Sequence, residues 1–223
     1  MRDATFRTAL FLLAFVAQSH AEVNMGETKP RVEKAVYQIT SESEISYAVD
    51  VKILLAFDSS VSGRTSGISG TLAVDQESPT EMTAKQTPVS GEIFVDVTTF
   101  RSGIGKRDSS VRRLLESDKY PQIRFSILDI EPRDVSRPDA LSGTFIVKGR
   151  LDIRGKTKEI SFPVVISPKS NKLAIDGKFS LKLTDFGIDP PTVAIFVGKA
   201  KDEILLNVHL IAESKKPGLF ASN

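Results

Sequence analysis

Along residues 141–183, apolar and polar side chains alternate with the two-residue period of a pleated strand, and turn residues interrupt the alternation twice. Leu141, Gly143, Phe145, Val147, Gly149, Leu151 and Ile153 share one face of the first run. Ser142, Thr144, Lys148, Arg150, Asp152 and Arg154 share the other, and only Ile146 breaks the rule. Beyond the turn signal at 154–157, Ile160, Phe162, Val164 and Ile166 fall together; beyond 168–171, so do Leu173, Ile175, Gly177, Phe179, Leu181 and Leu183. One face buried and one wet is the mark of an antiparallel sheet with a single apolar side.

The same period recurs upstream and downstream. It predicts strands over 45–55 (Ile45, Tyr47, Val49, Val51, Ile53 and Leu55 inward), with 37–39 as a short edge segment before it, and over 68–74, 89–98, 123–127 and 202–212. Inward residues there include Ile93, Val95, Phe125, Ile204, Leu206, Val208 and Leu210. Between 101 and 121 the period changes: Val111, Leu114 and Leu115 at helical spacing predict one short helix, with Ser109 or Ser110 as its cap. A loop carrying Pro79, a loop at 132–138 and an irregular stretch at 184–191 separate the runs. About eight antiparallel strands with a continuous apolar face would leave that face and two edges open to water, and closing them into a barrel removes both problems. The fold class expected is therefore all-β, an eight-stranded antiparallel barrel with one helix between the third and fourth strands. Glycine recurs on the inward face at Gly70, Gly91, Gly143, Gly149 and Gly177, marking either bends in the wall or space inside it.

The first 21 residues read differently. Arg2 and Arg7 precede an apolar run of about ten residues, and Ser19-His20-Ala21 has the small-x-small form of a cleavage site, so a signal peptide over 1–21 is expected. The run is too short for a membrane span, which needs roughly 20 residues. A periplasmic or secreted protein follows, with a polar lead-in over 22–36, a barrel over 37–212 and a tail over 213–223. Removing the segment takes away Arg2, Arg7 and Asp3 from totals of 30 basic and 28 acidic side chains, leaving 28 against 27. So balanced a chain has no long-range field to draw nucleic acid. It has no cysteine, which excludes disulfides, thiolate catalysis and zinc–thiolate sites.

Three motifs carry a resemblance that covers about 37–212. Arg107-Asp108, Val111-Arg112, Leu114-Leu115 and Lys119-Tyr120-Pro121-Gln122-Ile123-Arg124-Phe125 form the first; Gly149-Arg150-Leu151-Asp152-Ile153-Arg154-Gly155-Lys156-Thr157-Lys158 the second; Thr184-Asp185-Phe186-Gly187-Ile188 the third. In this order they resemble the RD…LR…YPxIxF, GxLTIxGVTK and DFGI signatures of the YceI-like, polyisoprenoid-binding family of bacterial exported proteins. The interval between RD and YP is about two residues shorter than in well-known members and lacks their aspartate-phenylalanine pair. The resemblance implies a lipocalin-like barrel whose pore takes an isoprenoid, isoprenoid quinone or fatty-acyl chain, with no cofactor and no metal.

The pore lining expected from the inward positions is Val49, Ile93, Val95, Phe125, Phe145, Phe162, Gly177, Phe179, Leu181 and Phe186, and the mouth candidates for a polar head group are Arg107, Arg112, Tyr120 and Asp185. Arg107 and Asp108 equally suit an ion-pair cluster that seats the helix on the barrel. Two other classes compete. An exported interaction or structural protein would have a filled barrel. A hydrolase would need paired carboxylates such as Asp202 with Glu203 or Asp185 with Asp189. His209, the sole histidine left after signal cleavage, alternates outward between Val208 and Leu210, which disfavours a Ser-His-Asp site or a multi-histidine metal site. An enzyme is therefore not expected, and the partner expected is a lipid.

Overall fold

The structure, a computed structural model, describes residues 33–53, 59–76, 89–137, 141–193 and 198–215. The expected signal segment, Leu55 and the Pro79 loop lie outside these residues. Eleven strand segments form one antiparallel sheet: β1 Glu33–Ile39, β2 Glu44–Ile53, β3 Ser59–Thr65, β4 Ile68–Gln76, β5 Val89–Asp96, β6 Gln122–Arg137, β7 Ser142–Ile153, β8 Lys156–Lys169, β9 Lys172–Lys182, β10 Thr192–Val193 and β11 Gly198–Ser214. Pairing runs from β4 through β5, β6, β7, β8 and β9 to β11, and β11 pairs back onto both β1 and β2. The ring is closed.

It has eight staves because two of them are bent. β1 and β2 follow one another along β11, and β3 and β4 follow one another along β2 and β1. The first bend is held by one residue of β11: the Ile211 carbonyl accepts from the Thr40 N–H at 2.8 Å, and the Ile211 N–H donates to the Ser43 hydroxyl at 2.9 Å. The helix α1, Gly105–Leu114, stands between the third and fourth staves. The alternation expected from sequence reappears as burial in β7, where Phe145, Val147, Gly149, Leu151 and Ile153 are all buried.

Several boundaries differ from the expectations. β1 begins at Glu33, inside the stretch read as a lead-in, and is part of a stave rather than an edge segment; its Tyr37 is wholly buried and faces Leu72 and Ser214. β6 runs straight through the expected loop at 132–138 as far as Arg137. Its pairing with β7 slips between Ile127 and Asp129, Pro132 and Asp134, and Val135 and Arg137, and such bulges admit a proline that an unbroken central ladder would reject. β11 starts at Gly198 and ends at Ser214, so it is longer than expected at both ends. Ser109 and Ser110 do not cap α1: they lie within it and donate back to the Gly105 and Lys106 carbonyls, both at 2.9 Å. The start of the helix is instead tied down by Asp108, which is buried and accepts from the Ser102 hydroxyl at 2.6 Å and the Ser102 N–H at 2.8 Å. Those bonds, the hydroxyl's first, hold its carboxyl below the usual carboxylate range.

Candidate functional site

The inward faces enclose a cavity of about 210 Å³ whose wall is hydrocarbon except at Tyr47. Its shape follows from uneven packing. At one end Tyr37, Phe145 and Ala212 are 0–1% exposed. At the other, α1 lays Leu114 and Leu115 onto Leu151, Ile153, Leu183, Phe186 and Ile188. Between them Ile175, Phe179 and Leu181 of β9 and Ile204, Leu206 and Val208 of β11 point inward yet stay only half-buried. A space bounded by such side chains favours a hydrocarbon over water, since a water needs two to four polar partners that this wall does not offer.

Seven of the expected lining residues stand on the wall: Ile93, Val95, Phe125, Phe162, Phe179, Leu181 and Phe186. Phe162 is the centre of an aromatic row, stacked on Phe179 with centroids 4.0 Å apart and tilted against Phe125 at 5.7 Å. Phe145 is not on the wall, because it is consumed in the packed end. Val49 is also off it, paired between Ile204 and Val61. Gly177 is off it too: a Cβ there would meet a Val164 methyl at 3.2 Å, so the glycine marks contact, not a hole. Gly149 has a different reason for being glycine, because Phe125 lays its ring where a Cβ would stand. Gly70 and Gly143 take φ of +149° and +127°, which only glycine adopts readily, so these two mark bends.

Of the wall residues absent from the expected set, Tyr47, Ile160, Leu206 and Val208 are inward by alternation, whereas Leu115, Ile130 and Ile188 lie outside the predicted strands. Periodicity gives the side a residue faces, and the choice of which inward residues border space depends on packing across the ring.

At the helix end the four mouth candidates do not converge. Arg112 donates to the Ser109 hydroxyl at 3.2 Å, and Tyr120 sits under the Lys119 ammonium, 4.9 Å from its ring centroid, with its ring against Gly155. Asp185 is exposed in the 3-10 turn Leu183–Phe186, and no hydrogen bond or ion pair among the described residues joins it to the others. Arg107 and Asp108 act on Tyr47, the polar side chain of the cavity wall, through their charges alone. Burial pushes the Tyr47 hydroxyl above the usual tyrosine range, the Asp108 charge adds to this, and the Arg107 charge opposes it. An Arg154–Glu116 ion pair joins the end of α1 to the β7–β8 turn.

Of the carboxylates proposed for a hydrolase, Asp202 and Glu203 are otherwise engaged. Asp202 accepts from the Thr184 hydroxyl at 2.6 Å and the Thr184 N–H at 2.9 Å, which holds it below the usual range and fixes the turn after β9. Glu203 accepts from the Ser180 hydroxyl at 2.5 Å. His209 points outward, its Nδ1 2.7 Å from Asp176 Oδ1. No cluster of three metal-ligating side chains occurs among the described residues, and no helix among them is long and apolar enough to cross a membrane.

Comparison with known proteins agrees with this architecture. The sequence profile of the YceI-like domain matches residues 36–212. Among solved structures, Burkholderia cenocepacia BcnA is similar with a TM-score of 0.57 and 20% identity, over 78% of this chain and 98% of that one. A polyisoprenoid binding domain from Saccharophagus degradans gives 0.55 and 13% over 82% and 99%, and the Campylobacter jejuni YceI protein 0.55 and 20% over 74% and 91%. No curated protein sequence matches.

Proposed function

The chain belongs to the YceI-like family, and from that premise we propose that its barrel holds one long apolar chain of isoprenoid, isoprenoid quinone or fatty-acyl type, in the periplasm or outside the cell after removal of residues 1–21. The observation that carries the proposal is the cavity wall, in which Tyr47 bears the sole polar group. Transfer of a hydrocarbon chain from water to such a wall is favourable by about 0.8 kcal/mol per buried CH₂. The same wall gives affinity more readily than selectivity, since a methylene more or less changes binding by roughly 1–3 kcal/mol. That one similar structure is a polyisoprenoid binding domain favours an isoprenoid among the candidate chains. The localisation rests on Arg2, Arg7, the apolar run and the Ser19-His20-Ala21 site.

Organic extraction of freshly purified protein, followed by mass spectrometry of the extract and native mass spectrometry of the complex, tests the reading. The expected result is one co-purifying lipid per chain with a long hydrocarbon tail. A protein that carries no lipid and takes up neither a farnesyl nor a stearoyl probe has a filled barrel.

A further inference from the structure

Among the described residues side chains pack at both ends of the barrel, which raises the question of how a chain enters. Tyr37, Phe145 and Ala212 fill one end and the α1 leucines cover the other. Among the described residues two ladders stop short: β5–β6 ends at Glu92↔Ser126, and β8–β9 ends with a facing aromatic pair beyond its last rung. β7 pairs with β8 as far as Ile153↔Lys156, and β9 pairs with β11 as far as Lys182↔Glu203. The ladder between β8 and β9 runs only from Lys169↔Lys172 to Val164↔Gly177 and stops there. Beyond that point residues 156–163 and 178–182 face one another with no strand pairing across the gap.

The next pair of inward residues past the last rung is Phe162 and Phe179. They stack face to face at 4.0 Å and 18°, so side chains bridge the wall where the backbone ladder has ended. Ile160 and Leu181 follow, half-buried, and all four border the cavity. On the outside, a depression lined by Pro163, Val165, Asp176 and Lys178 lies at the end of the ladder, and Val165 is 46% exposed within it. Glu44, Ser46, Asn207 and His209 also line this depression, and Val164 and Val208 border both it and the cavity, so the two spaces are separated there by single side chains.

We infer that the seam between β8 and β9 is the port through which the apolar chain crosses the wall, with the Phe162–Phe179 pair as its gate. Opening it separates one ring stack where no strand pairing bridges the gap. Entry at either end would require displacing a packed plug. Across the ladders that are paired, each crossing would break backbone hydrogen bonds in apolar surroundings. The inference rests on the lipid-binding reading above.

The absence of cysteine makes the seam open to a clean test. Ser161→Cys with Ser180→Cys places two exposed thiols on the facing edges of the seam, and Ser180→Cys with Leu205→Cys staples the intact β9–β11 ladder as a control. Exchange of a dansyl-farnesyl probe is followed by stopped-flow fluorescence. Oxidation of the seam pair is expected to slow exchange at least tenfold while changing the dissociation constant less than twofold, with recovery on reduction and no change in the control pair. Phe179→Ala, which needs no disulfide, is expected to speed exchange several-fold. Exchange unaffected by a formed seam disulfide, or unaltered in Phe179→Ala, overturns the port while leaving lipid binding standing. A parent protein that binds no probe overturns the binding reading itself, and the port with it.

Discussion

Strand β11 passes through two different interiors. Near its end Ala212 is 0% exposed, packed with Tyr37 and Phe145, and Leu210, 3% exposed, joins that cluster while bordering the cavity, whereas Ile204, Leu206 and Val208 point the same way and remain half-buried beside the cavity. The alternation is the same in both stretches, and so is the residue chemistry. What differs is what stands opposite. The packed end receives a tyrosine from the neighbouring β1 and a phenylalanine from β7, and the middle borders a space that the side chains around it leave unfilled. A filled core and a binding cavity are thus built from one sequence pattern, and their difference is energetic: the first contributes stability, and the second leaves apolar surface whose burial is available to a ligand.

Truncation should expose this difference most strongly. Phe145→Ala removes a ring that is 1% exposed, and a loss of about 3–5 kcal/mol is expected, as for other buried aromatics. Phe179→Ala removes a ring of the same size from the cavity wall, where one side already lacks neighbours. Its cost should be half as large or less, consisting of the stack with Phe162 and partial burial. Chemical denaturation of both variants in lipid-free protein checks this, and equal losses would show that the middle is as well packed as the end.

The parts of this arrangement that were legible in the sequence are those set by short-range period. The inward sets of β7, β8, β9 and β11, the count of staves and the single helix all follow from residues two or three positions apart. Tyr37 was read as an edge because three residues are too few for a period to declare itself, and its burial comes from Leu72 and Ser214, far along the chain. Pro132 was read as a loop because a proline argues against a central strand unless a bulge receives it. The seam left no trace at all. Alternation continues through Ile160, Phe162 and Val164 and through Gly177, Phe179 and Leu181 without regard to whether the neighbouring strand is bonded. Of the site, the apolar lining is largely legible, and the mouth is not, since Arg107, Arg112, Tyr120 and Asp185 share no hydrogen bond or ion pair among the described residues.

Glycine substitutions sharpen the comparison at smaller amplitude. Gly149→Ala would place a methyl in the Phe125 ring, which is also tilted against Phe162, so the aromatic row must shift and a cost of about 1–3 kcal/mol is expected. Gly177→Ala meets a Val164 methyl at 3.2 Å and a carbonyl at 3.5 Å, with no backbone strain at that position, and should cost less than about 1 kcal/mol. Thermal unfolding of the pair reads the contrast. A Gly177→Ala loss as large as that of Gly149→Ala would mean that the wall is tight at the last rung of the β8–β9 ladder, and that the seam begins in a rigid region.

The smallest effect belongs to the outer face of the same strand. His209 lies between Val208, half-buried on the cavity, and Leu210, which borders the cavity from the packed cluster, but it points away from both and pairs with Asp176 where the two side chains are 49% and 57% exposed. Exposed ion pairs contribute roughly 0–1 kcal/mol, because water screens the attraction and holding the two side chains together costs entropy. His209→Ala should therefore change stability by no more than about 0.5 kcal/mol and leave the affinity for a farnesyl probe unaltered. Side by side with Leu206→Ala and Leu210→Ala, it asks whether the contrast along β11 is a property of the interior. If His209→Ala weakened probe binding several-fold, the outer depression it shares with Asp176 and Lys178 would be part of the binding surface, and the division of this strand into an inert outside and a functional inside would fail.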